Sequence, residues 1–336
     1  MKEKVKKTEQ FLNNYIIDKN LEQTAVYHNL EFFYDLSSVL DTYLSKHVDT
    51  LKEEIYYSKI TKMSLFDKLN LVEEFYKEHG IEFDLNKHLD DGTIDFIYYD
   101  HLNIKQEQFV MGRNYYEKSK KLIDVGNHGF VVDILVLIHE LSHLRDQPDI
   151  RRNQLSDLLT EALACAESLI CADYLKELGY QEDMLLWKKR LYYTFYILAK
   201  QTKIKYEMLL LFKNLGSLSE SSYELFYGNN DKYKDNIEHM NQFIDNNDFN
   251  IYFYSWYIMG AVFGTHLYNE HKNDPSFMKN IILLHDRIND SDIIQCLKLM
   301  NFNNDGSRDL EKVENALELT ISELVSNNKK YLVKKF

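Results

Sequence analysis

Proline and glycine are scarce, with two and 11 residues in a chain of 336. So few turn formers argue for long helices and against a β-sandwich or barrel. Cysteine is rarer than chance use would give: Cys165, Cys171 and Cys296, with no CxxC pair among them. That excludes a thiolate zinc cluster and suits a reducing compartment. Positive charge is in deficit, for a formal net charge of −13. A nucleic-acid partner needs the opposite sign, and an anionic membrane surface is disfavoured for the same reason. No long apolar run is present either. The basic start MKEKVKKTEQFLNNYIID leads into no apolar segment of the secretory kind, and no stretch reaches the length of a membrane span. The expectation is therefore a cytoplasmic protein.

What is present is a globular composition, 45% apolar, in a chain long enough for a sizeable core. Residues 4–80 read as helical. Ser64 and Asp67 form a capping-box signal, and Gly80 stands where a helix-ending residue belongs. The texture changes between 91 and 126. Asp91-Gly92 marks a turn, and residues 93–99, TIDFIYY, are strand formers, with 109–112 and 122–125 as partner strands. From 130 onward the pattern is helical again, punctuated by Gly126, Gly129, Pro148, Gly216, Gly260, Gly306 and Asn-rich runs near 229–248 and 301–305. An N-terminal helical region over 1–90 and a second region over 91–336, packed as one domain, account for this.

The chemical signal lies in residues 131–146, VVDILVLIHELSHLRD. On a helix, His139 and His143 project from the same face. Imidazoles one turn apart can both reach a Zn²⁺ at about 2.0–2.1 Å. Glu140 is rotated by about 100° and can sit beside the metal without ligating it, placed to take a proton from metal-bound water. The motif also arises by chance in a chain with 12 His, but its setting is specific. Seven of the eight residues before His139 are Val, Ile or Leu, so the helix is buried nearly all round. Two His and a Glu in such a place need polar partners, and a metal supplies one.

A catalytic zinc takes three protein ligands and leaves a position for water. The helix expected over 155–178 carries Asp157, Glu161, Glu167 and Asp173. Glu161 flanks its apolar stripe, and Ala164, Cys165, Ser168 and Ala172 are small enough for another helix to come close. Glu161 is the expected third ligand and Glu167 the second choice; an ordinary solvated carboxylate is the alternative for both.

These elements resemble the thimet oligopeptidase and oligoendopeptidase F family of zinc metallopeptidases. That family has an apolar helix ending in HExGH, then a helix with a pattern like AExASxxxE whose first Glu is a zinc ligand. DILVLIHELSH (133–143) looks like the first and TEALACAE (160–167) like the second, with Glu161 in the ligand position. A Tyr-rich segment, YFYSWYIMG (252–260), is similar to the family's FYxYxYxxG. The resemblance implies a mostly α, zincin-type helical domain with a small β-sheet near the active site. It implies one Zn²⁺ per chain held by His139, His143 and Glu161, with Glu140 as general base then acid. Tyr257, and Tyr254 behind it by a one-residue offset, would stabilise the oxyanion. The substrate would be a peptide or polypeptide. Three positions depart from the family: Ser142 replaces its Gly, Asp146 stands where some members have His, and no His closely precedes the Tyr segment, His239 being the nearest upstream. Two other readings go with the endopeptidase. One is a protease dedicated to a single protein or precursor. The other is a silent relative that binds a partner in the groove, for which an intact Glu140 has no use.

Overall fold

The computed structural model describes residues 30–52, 60–98, 112–117, 120–145, 154–215, 251–287, 293–302 and 306–333. The expectations for 4–29, 109–111 and 229–248 lie outside them. Helices dominate: α1 (Leu30–Ser45), α2 (Val48–Leu51), α3 (Leu65–Glu78) and α4 (Leu85–Asp90) precede the sheet. Strands β1 (Ile94–Tyr98), β2 (Gly112–Glu117) and β3 (Lys120–Asn127) come next. Then follow α5 (Asp133–Arg145), α6 (Gln154–Glu177), α7 (Gln181–Leu215), α8 (Ile251–Asn273), α9 (Met278–Arg287), α10 (Ile293–Leu299) and α11 (Gly306–Val333). The expected fold class is borne out: mostly α with one small sheet. No helix among the described residues is long and apolar enough to cross a membrane.

Local chemistry explains several boundaries. Ser64 Oγ accepts the Asp67 backbone N–H at 3.1 Å and starts α3. Gly80, at φ +67°, ends it: the Ile81 N–H reaches Tyr76 O at 2.8 Å and the Gly80 N–H reaches Lys77 O at 3.3 Å. This is the Schellman arrangement that a left-handed residue permits. In the sheet, β3 is central. It runs parallel to β1 and antiparallel to β2, with Ile94 opposite Ile123 and Gly112 opposite Val125. Two glycines do not punctuate as their sequence positions suggested. Gly126 lies within β3 and Gly260 within α8, and Gly306 opens α11.

Helix α5 is the apolar segment that carries His139. Ten of its residues are buried, including Leu135, Leu137, Ile138 and Leu141. Burying each such Leu or Ile stabilises by about 1.5–3 kcal/mol. Its sides are covered by α3, α6, β2 and β3. Its start is fixed by a buried ion pair. Asp133 Oδ2 accepts Lys68 Nζ from α3 at 2.5 Å, and the backbone N–H groups of His128 and Phe130 at 2.9 and 3.1 Å. Lys68 Nζ also reaches Asn127 Oδ1 at 2.7 Å. Carboxylate and ammonium are 4% and 2% exposed. Burial alone would raise the Asp133 pKa, but His128, Lys68 and the Phe130 N–H outweigh it and hold the carboxyl below its ordinary value.

An unpaired buried charge is costly, so Asp133→Ala strands the Lys68 ammonium and should lower stability by about 3–5 kcal/mol. The same carboxylate makes the wild type acid-sensitive. Its folded pKa is depressed, so its contribution is full above the unfolded value near 3.9 and is lost as pH falls through the folded one. Urea unfolding of both proteins at neutral pH and at about pH 3 checks this. A variant as stable as the wild type at neutral pH would show that the pair anchors nothing.

Candidate metal centre

His139 and His143 lie one turn apart on α5, their rings edge to face with centroids 4.9 Å apart. Their Nε2 atoms are 3.3 Å apart. Glu161, from α6, closes a triangle, with Oε2 3.5 Å from His139 Nε2 and Oε1 3.5 Å from His143 Nε2. Ligands bound tetrahedrally at 2.0–2.1 Å stand roughly 3.3–3.4 Å from one another. The three donors therefore already have the spacing of three corners of such a site, and the group can hold a metal ion. His143 is buried, whereas His139 is 28% exposed, so the group opens on the His139 side.

Charge is balanced within the triangle. Burial pushes the His139 pKa down, but the hydrogen bond and charge of Glu161, with Glu140 and Glu167 further off, bring it above its ordinary value. Burial pushes Glu161 up, and the His143, His139 and Lys121 charges more than reverse that. Two imidazoles and a carboxylate with a fourth direction open suit a borderline divalent ion.

Glu161 owes its place to α8. A Cβ at Gly260 would stand 3.1 Å from Glu161 O and 3.3 Å from Glu161 Cβ. One at Gly264 would stand 2.7 Å from Cys165 Cβ and 2.9 Å from Ala162 O. Four residues apart, the two glycines share a face and let α8 lie directly on the small-residue stripe of α6. On the α5 side, the Ser168 hydroxyl of α6 reaches Leu135 O at 3.2 Å. The small residues on α6 thus serve two neighbours.

Glu140 is buried beside the triangle at 5% exposure, with β2 passing over it at Gly112. Tyr257 is on α8, three residues before Gly260. Burial, then the nearby charges of Glu161 and Glu140, push its phenol well above the ordinary value. Tyr257 thus lies within range of both carboxylate charges. The side chain of Tyr254 lies outside the described residues. Glu167 is not in the triangle. Wholly buried, it pairs with Arg145 at the end of α5 and, at 2.8 Å, with His285 Nε2 of α9. The His285 ring also stands 2.5 Å from Arg145 Nη2 and 3.5 Å from Ser142 Oγ. Lys121 of β3 donates to the His143 carbonyl. Sequence reasoning passed over Lys121, Arg145, His285 and Gly112. Only Arg145 sits close enough to the motif to have been noticed.

Among solved structures, the fold is similar to that of a chain described as a candidate oligoendopeptidase F from Bacillus anthracis str. Ames. The TM-score is 0.57 at 15% identity, over 92% of this chain and 57% of that one. It is also similar to PZ peptidase A with inhibitor 2, with a TM-score of 0.53 at 14% identity over 90% of this chain and 59% of that one. The chain thus spans less than two thirds of the length of either. At these identities the likeness is one of fold. No family model and no curated protein matches the chain.

Protein purified without added metal should carry one divalent ion per chain by elemental analysis, and Glu161→Ala should lose it while keeping its helical content. A wild-type protein that takes up no ion even after dialysis against Zn²⁺, Co²⁺ or Mn²⁺ would mean that the triangle is only a His–Glu hydrogen-bond cluster.

Proposed function

We propose that this chain is a zinc metallopeptidase that hydrolyses peptide bonds in oligopeptides or polypeptides. The observation that carries the reading is the donor triangle at 3.3 and 3.5 Å, built from an HExxH helix and a Glu on the next one. The fold it shares with an oligoendopeptidase F and a PZ peptidase supports the same conclusion.

His139, His143 and Glu161 would hold the Zn²⁺, which when bound would supply a Lewis acid and lower the pKa of water toward neutral. Glu140 accepts the proton of the attacking water and returns it to the leaving amine nitrogen. Its burial keeps bulk water from competing for that carboxylate. The Tyr257 phenol, which like any phenol keeps its proton at neutral pH, donates a hydrogen bond to the oxygen on which negative charge develops. A relative that only bound a partner would have no use for a buried carboxylate at 140 beside three metal donors.

Two substitutions test the roles. Glu140→Gln keeps shape and metal and removes the base, so hydrolysis of a mixed fluorogenic peptide library should fall by about 10²–10⁴. Wild-type cleavage by that variant would end the metallopeptidase mechanism. Tyr257→Phe removes one oxyanion donor, a loss of about 2.7–4 kcal/mol in transition-state stabilisation. Because such a donor acts mainly in the transition state, kcat should fall by roughly 10² or more with KM little changed. Full activity in Tyr257→Phe, with Tyr257→Ala merely less stable, would make this tyrosine a packing residue.

A further inference from the structure

Gly112, the first residue of β2, occupies a position where any side chain would collide with Glu140 as it stands. A Cβ built there would lie 2.5 Å from Glu140 Cγ and 2.7 Å from Cδ, and would overlap Oε1 as well. Real Cβ atoms do not approach other carbons this closely. Backbone conformation is not the reason for glycine here. Positive φ occurs at Gly80, Gly92, Gly129 and Gly179, and Gly112 is not among them. What position 112 needs is space, and the three atoms nearest a Cβ there all belong to the side chain of Glu140.

We infer that Gly112 is a positioning residue for Glu140: the bare backbone of β2 forms the wall against which the carboxylate is held facing the metal group. The inference rests on the role proposed for Glu140 and goes beyond it. β2 is held in turn by β3, through the pairing of Gly112 with Val125, and β3 packs on α5. The wall and the helix that carries the base are thus parts of one packed unit. Glu140 is the flexible partner in this contact. A methyl at 112 displaces the carboxylate rather than the strand, and a reacting group moved by about 1 Å can lose 10²-fold in rate.

The test is a cycle of Gly112→Ala, Glu140→Ala and the double variant in zinc-loaded protein, read three ways: thermal unfolding, steady-state kinetics, and affinity for a peptidyl hydroxamate. A hydroxamate chelates the metal and donates a proton to a carboxylate beside it, so it reports the placement of Glu140 without turnover. Gly112→Ala should keep its zinc and its fold, lower kcat by roughly 10–100-fold with KM within about twofold, and weaken the hydroxamate by about tenfold or more. In the Glu140→Ala background the same change should weaken the hydroxamate no further, since the side chain it displaces is gone.

Equal hydroxamate losses in both backgrounds, or no loss in either, overturn the inference. So does failure of the wild type to bind the hydroxamate. If Gly112→Ala alone does not fold, the double variant must, because the overlap is then relieved; a double variant that also fails to fold counts against it. A wild type that cleaves no peptide, yet shows the coupling in hydroxamate binding, removes the peptidase reading and leaves the positioning of Glu140 standing.

Discussion

The donor triangle exists only while α5 and α6 cross at one fixed offset. Two imidazoles and a carboxylate at 3.3–3.5 Å from one another tolerate little sliding, because a shift of one residue along either helix moves a donor by about 1.5 Å. Much of the surrounding structure serves to hold that offset. Lys68 and Asp133 fix the beginning of α5, and Lys121 ties the carbonyl of His143 to the sheet. Arg145, Glu167 and His285 join the end of α5 to α6 and α9. From the other side α8 presses its glycines onto α6. Each of these contacts is polar and buried, or a backbone approach at van der Waals distance. Such contacts define one arrangement more sharply than apolar area does, because a small displacement leaves a buried polar group unpaired.

The proposed base and the proposed oxyanion donor stand on different elements. Glu140 is backed by β2, and Tyr257 comes from α8. Burial, and then the charges of Glu161 and Glu140, push the pKa of the Tyr257 phenol above its ordinary value. A neutral phenol keeps its O–H, as hydrogen bonding to a developing oxyanion requires.

How much could be read from the sequence follows the range of each signal. The α5 motif was legible because its residues lie within two turns and its apolar run implies burial. Glu161 was legible because α6 follows closely and its small residues foretold a near neighbour. The sequence does not mark that neighbour: a lone Gly260 reads as a break, and only its spacing to Gly264, that of a helix face, points the other way. The strand pattern at 93–99 became β1, and 122–125 lies inside β3. His285 could not have been found, since nothing local marks one buried histidine among 12 as the partner of Glu167. Glu167 looked like a possible ligand for the same reason: its partners come from distant elements, and sequence alone leaves its charge unassigned. Gly112 was equally silent, because a glycine at the edge of a strand reads as a turn signal until the side chain opposite it is known.

Glycine gives the last link between composition and site. A glycine within a helix costs about 0.5–1 kcal/mol relative to alanine, so two of them in α8 must be offset by what they permit. The chain has only 11, and among the described residues four are at left-handed positions, where the backbone itself demands them. Gly260 and Gly264 meet no such demand, and neither does Gly112. At each of these three, the atoms nearest a Cβ belong to Glu140, Glu161, Ala162 or Cys165: the proposed base, the candidate metal ligand and the stripe beside it. A chain that otherwise avoids glycine places it where backbone must approach this site, which is what an arrangement held to within a few tenths of an ångström requires. Scarcity, read at first as evidence for long helices, also makes the positions of the few glycines informative about where the helices and the sheet had to come closest.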